Sequence, residues 1–262
     1  MLQQSGSGTK RPYVFTFLIV ATIASVNLVS ARAVASLPDL PAAWLELLTE
    51  LVLAVVAIVL VTARRAWRTI GFRALPSLKD FRLYWVPVLP LLPVVGAVFT
   101  GVSRMRIQDA LSFLVLACVI GFVEEVFFRG LILQALASRG LWRASILSSI
   151  VFGLMHLLNF LFGADFLATL LQVGYATAMG FGFAAVTLRT GALWPLILIH
   201  TLIDFAGFIA SDSTLAASLT STDAVIYTLY IFVFTAYGLF MMRAVKRNRM
   251  QPRDDSQRIP IR

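Results

Sequence analysis

In this chain of 262 residues, 59% are apolar and only 13% charged, far below the roughly 25% charged residues of an ordinary soluble domain. That composition excludes a water-soluble enzyme. The net charge of +9 does not mark a nucleic-acid-binding surface either, because it is spread over the flanks of apolar runs and no glycine-rich phosphate loop or nucleic-acid motif occurs.

Taken in order, residues 1–12 read as a polar, Gly- and Ser-rich disordered N-terminus. Apolar runs then fall at 13–30, 43–63, 84–102, 109–136, 143–162, 166–188, 191–210 and 224–242, each sufficient to cross a hydrocarbon core about 30 Å thick. The expected fold is an all-α polytopic membrane protein over 13–243, with eight transmembrane helices around an intramembrane cavity and a basic tail at 244–262. The first run is longer than the 7–15 residues typical of a signal peptide's apolar region and reads as a retained span. With loops assigned alternately, eighteen of the 22 Lys and Arg residues lie on one side, three (Arg32, Arg104, Arg106) on the other, and Arg129 inside the membrane. The positive-inside rule then places both termini in the cytoplasm, most simply across a prokaryotic plasma membrane.

The second run carries Glu46 and Glu50 near its outer end, where headgroups and water are expected to reach them. The segment 64–82 mixes six basic residues with Ile70, Phe72, Leu75, Leu78 and Phe81, a composition suited to lying on an anionic leaflet. Pro87, Pro90 and Pro93 should kink or break the third span, since each lacks a backbone donor. In the sixth, Ala176, Gly180 and Ala184 form a small-residue stripe that lets a neighbouring helix approach closely. The single cysteine, Cys118, precludes an intrachain disulfide and a Cys-rich metal motif.

The fourth run is the unusual one, because Glu124, Glu125 and Arg129 interrupt it. A charged group at the middle of a membrane helix costs about 2.5–3.5 kcal/mol on insertion scales, which makes such groups functional candidates by default. Glu125 and Arg129, four residues apart, can pair on one helical face, leaving Glu124 to face a cavity. The fifth run places Phe152 one turn before His156, and the seventh places His200 one turn before Asp204. Counting helical residues to the nearest cytoplasmic basic residue puts Glu124, His156 and His200 roughly 22, 20 and 17 Å deep. Three helices thus bring a carboxylate and both histidines of the chain to one level near mid-membrane.

Such a set suits hydrolysis, the carboxylate taking a proton from water and the imidazoles steadying the oxyanion of an attacked carbonyl. It would equally suit a divalent ion such as zinc held by His156, His200 and Glu124, and spacing leaves both readings open, although no H-E-x-x-H helix is present.

Glu124-Glu125-x-x-x-Arg129, Phe152-x-x-x-His156 and His200-x-x-x-Asp204, in that order on separate spans, resemble the three motifs of the CPBP family, which includes CAAX prenyl endoproteases and Abi-type bacteriocin-processing and immunity proteins. Arg189-Thr-Gly-Ala-Leu-Trp194 resembles the run before the third motif. The resemblance covers about 121–205. It implies an intramembrane endopeptidase acting on a hydrophobic or membrane-anchored peptide, with Glu124 as general base, Glu125 and Arg129 as its support, His156 and His200 as polarising or metal-binding groups, and Asp204 as their partner. A non-catalytic binding or immunity protein that keeps the motifs as a structural cluster is the alternative it leaves.

Overall fold

The computed structural model describes residues 9–36, 42–73, 78–92, 106–211 and 220–250. Among these residues the structure is helical throughout, with no strand: α1 Pro12–Ser36, α2 Ala42–Ala63, the short α3 Trp85–Val88, α4 Ile107–Arg139 and α5 Leu141–Phe162, α6 Phe166–Thr190, α7 Trp194–Ser211 and α8 Ser221–Met250. Six of them are long and apolar enough to cross a membrane, and α7 adds a shorter apolar helix, Trp194–Ile209. The chain is an all-α integral membrane protein.

Local chemistry sets several boundaries. Asp165 starts α6 by accepting a hydrogen bond from the Ala168 amide at 2.8 Å, satisfying one of the orphan donors of the first turn. At the other end the chain leaves the helix at Gly191, in the left-handed conformation, so α7 begins only at Trp194, three residues later than the apolar run. The third span departs most from a simple helix. A 3₁₀ turn over Leu78–Tyr84 runs into the four-residue α3, as expected where Pro87 and Pro90 each remove a backbone donor; Pro93 and the rest of that run lie outside the described residues. At the far end, α8 continues as helix to Met250, beyond the boundary set at 243 from hydropathy.

The segment after α2 differs from the lipid-surface expectation. Arg64, Arg65 and Arg68 are exposed, but Ile70 is buried, and Phe72 packs on Trp67 and Phe122. The Leu193 amide donates to the Gly71 carbonyl at 3.1 Å, and the Arg73 guanidinium donates to the Thr190 carbonyl at 3.3 Å. This segment is pinned to the α6–α7 turn, because those contacts satisfy backbone groups that a helix end leaves unpaired.

The core is centred on the second half of α4. Val126, Phe127, Phe128, Ile132 and Leu133 are buried there, and Phe183 to Val186 of α6 are buried beside them. α4 packs on α7 and α2, while α6 lies between α5 and α8. The Ala176-Gly180-Ala184 stripe is buried, as its reading for close packing requires. The tightest approach is at Gly153 of α5, where a Cβ would overlap the Thr177 hydroxyl and stand 2.7 Å from the Val173 carbonyl oxygen of α6. Gly153→Ala is therefore expected to destabilise the protein by about 1–3 kcal/mol, read as a lowered melting temperature in detergent. Adding Thr177→Ala should restore only part of the loss, since the clash with backbone remains.

Candidate active site

Glu124 and Glu125 end the regular α-helical part of α4, and the next seven residues, Val126–Ile132, form a wider π-helical segment that is buried along its whole length. Such insertions concentrate at functional sites because they re-aim side chains within an otherwise regular helix. A plain α-helix was expected here, and the widening begins directly after the two acids. Glu125 is wholly buried, whereas the Glu124 side chain keeps 26% of its surface.

Glu125 Oε1 holds two partners at once, Arg129 Nη1 at 3.0 Å and His200 Nδ1 at 2.9 Å. Arg129, 1% exposed, lies over the face of Phe152 at 4.0 Å and nearer the edge of contact with Phe183 at 5.5 Å; quadrupole attraction supplements the ion pair where water is excluded. This arrangement needs Gly180, because a Cβ there would come to 3.0 Å from Arg129 Nη2 and 3.1 Å from the Phe152 ring. The small-residue stripe of α6 therefore makes room for the guanidinium as well as for helix packing.

On the opposite edge of the imidazole, His200 Nε2 is 3.3 Å from Glu124 Oε2 and 3.8 Å from Asp204 Oδ1. His200 thus stands between the two adjacent glutamates of α4, one at each ring nitrogen, and a third carboxylate from its own helix. Glu125 fixes the ring's orientation through Nδ1, as a buried carboxylate does for functional histidines. Glu124 and Asp204, which keeps 21% of its side-chain surface, share the open side.

His156 closes the set from α5. Its Nδ1 donates to the Phe152 carbonyl at 3.1 Å, which leaves the lone pair of the neutral ring on Nε2. The Phe152 ring lies edge-on to both imidazoles, 5.0 Å from that of His156 and 6.1 Å from that of His200. Glu124, Glu125, Arg129, His200 and Asp204 are therefore in direct contact across α4 and α7, and Phe152 of α5, edge-on to both imidazoles, lies between them and His156. The donors do not fit a preformed metal site: among the described residues no group of three or more His, Cys, Asp or Glu side chains is arranged to hold an ion.

Against this geometry, residues 106–206 match the family model described as Type II CAAX prenyl endopeptidase Rce1-like. Over 100 residues the chain is also 32% identical to a Bacillus subtilis (strain 168) protein named "Putative membrane peptidase YdiL". The motif-bearing segment is thus similar to proteins of the CAAX protease family. The alignment covers 37% of this chain and 36% of the relative, so the chain spans about a third of the length of the curated protein it matches. The CPBP segment contains every residue of the cluster just described.

A further buried acid lies outside that segment. Glu50 of α2, expected at an exposed outer end, has Oε2 buried without a protein hydrogen-bond partner, and its carboxylate interacts electrostatically with Glu124, Glu46 and Asp204. The sequence did carry a signal for it. Glu50 precedes Leu53 and Ala57 by three and seven residues, and both of those are buried, so the acid lies on the inward stripe of the helix.

Proposed function

We propose that this protein is an intramembrane endopeptidase that hydrolyses a peptide bond of a hydrophobic or membrane-anchored substrate, CAAX-type prenylated peptides included. The reading is carried by one observation: two adjacent glutamates meet opposite edges of a single imidazole, one wholly buried against Arg129 and the other with 26% of its side chain exposed. A purely structural cluster has no need of that asymmetry.

In the proposed reaction, the Glu124 carboxylate takes a proton from a water molecule as its oxygen attacks the scissile carbonyl carbon. The carbonyl electrons move onto oxygen, and His200, as an imidazolium whose Nδ1–H is held by Glu125, donates its Nε2–H to the developing oxyanion. Glu124 then passes its proton to the amide nitrogen and the C–N bond breaks, giving a carboxylic acid and an amine; transfer of the acid's proton to the amine leaves a carboxylate and an ammonium. His156, with Nδ1–H committed to backbone, accepts at Nε2 when neutral and donates there once protonated, so it can carry the second proton of this exchange. Asp204 holds the open edge of His200. The low dielectric around these groups strengthens each charge interaction relative to water.

A metal at His156, His200 and Glu124 would supply Lewis-acid polarisation of the carbonyl. The donor arrangement does not favour it, and every step above uses the chain's own residues. Cleavage of a fluorogenic membrane-anchored peptide by purified protein is therefore expected to survive incubation with a strong chelator. Loss of activity on chelation, restored by zinc, would contradict a metal-free mechanism. The proposed setting is a prokaryotic plasma membrane with both termini in the cytoplasm, supported by the charge asymmetry of the loops.

A further inference from the structure

We propose that Glu50 determines substrate specificity by pairing its carboxylate with a positively charged nitrogen of the peptide, close to the scissile bond; this rests on the peptidase reading above. The observations concern α2, outside the segment that matches the CPBP/CAAX family.

The first is placement. α2 packs on α4, with Leu53 and Ala57 buried on the stripe that also carries Glu50, which turns the acid inward rather than toward lipid. Its Oε2 has no hydrogen-bond partner in the protein, and it shares its surroundings electrostatically with Glu124 and Asp204. Those two keep part of their side-chain surface exposed.

The second is the charge balance. Glu124, Glu125 and Asp204 all contact His200, and Glu125 also contacts Arg129. Arg129 is committed to Glu125, and His200 already stands between three carboxylates. Carboxylates crowded together away from water repel one another, and a cation carried by the substrate would relieve that repulsion.

The chemistry of the occupant follows from the third. A metal ion needs donors converging at fixed distances, and the described residues provide no such group. An ammonium or guanidinium brings its own hydrogens and needs acceptors only. Glu50 Oε2 and Asp204 Oδ2, both buried without a protein partner, are acceptors of that kind. A Lys or Arg side chain beside the bond, or a free terminal amine, presents the required group.

The test uses the purified full chain and internally quenched hydrophobic peptides, N-terminally acetylated and identical except for Lys or Gln at successive positions flanking the cleaved bond. A parallel set with a free N-terminus distinguishes a terminal amine from a side chain. At one position the kcat/KM ratio of Lys to Gln peptide is expected to reach about tenfold or more for the wild type, to fall to about one in Glu50→Gln, and to be intermediate in Glu50→Asp. A wild-type ratio near one in both sets, or a ratio unchanged in Glu50→Gln, overturns the assignment. Should Glu50→Gln be inactive on both peptides, Glu50→Asp carries the readout: a reduced ratio supports the assignment and an unchanged one overturns it. Absence of cleavage of every peptide by the wild type would instead overturn the peptidase reading and this inference with it.

Discussion

Glu124→Gln is expected to lower the rate of peptide cleavage by about 10²–10⁴-fold, the range lost when a positioned general base is removed, while the protein stays folded. The amide keeps the size of the side chain and can still contact His200 Nε2, but it cannot take a proton from water. Because the Glu124 side chain keeps 26% of its surface, the change leaves no fully buried group without a partner, and the melting temperature in detergent should move little. Cleavage at the wild-type rate in a folded Glu124→Gln protein would remove Glu124 from the mechanism.

Glu125→Gln is expected to behave differently. It breaks a buried ion pair and weakens a charge-assisted bond to His200, and stripping one partner from such a pair typically costs about 3–5 kcal/mol because the other charge remains uncompensated. Arg129→Gln should cost a similar amount, since it leaves Glu125 facing only His200. Either variant should unfold at markedly lower temperature or denaturant, measured in the same detergent as the wild type. Replacing both residues by apolar side chains of similar volume should recover part of that stability, yet not activity, because His200 loses the acceptor that orients it. Wild-type stability in both single variants would show that Glu125 and Arg129 do not form the supporting pair. The contrast between neighbouring glutamates is the sharper point: the Glu124 change is expected to lower rate at little cost in stability, and the Glu125 change to lower stability.

Much of this site was legible in the sequence because the membrane makes charge rare. Glu124, Glu125, Arg129, His156, His200 and Asp204 stand out within apolar runs, and helical rise alone placed three of them at a common depth. What spacing could not give was the direction of each side chain around its helix. An α-helical reading predicts the Glu125–Arg129 pair, which is observed at 3.0 Å, but not the π-helical segment that carries Arg129, since local sequence holds no strong signal for that insertion. Nor could it show that His200 is shared by both glutamates, a contact between residues 75 positions apart.

Two misreadings have the same origin. Glu50 was placed at an exposed helix end and Ile70 on a lipid surface, yet both face protein. Hydropathy measures how apolar a segment is, whereas inward direction depends on which neighbour covers it. For Glu50 the buried stripe through Leu53 and Ala57 held the information, and for Ile70 the neighbour is Gly130 of the distant α4. Gly180 is a milder case: its role in packing was readable, but the guanidinium it accommodates comes from α4.

The most direct test is mass spectrometry of the products formed when purified wild-type protein and Glu124→Gln are incubated with a membrane-anchored peptide in ¹⁸O-labelled water. The account predicts a single cleavage by the wild type, with one ¹⁸O in the new terminal carboxylate, and no labelled product from the folded variant. Intact substrate with the wild type, or labelled product formed equally fast by both proteins, would contradict it.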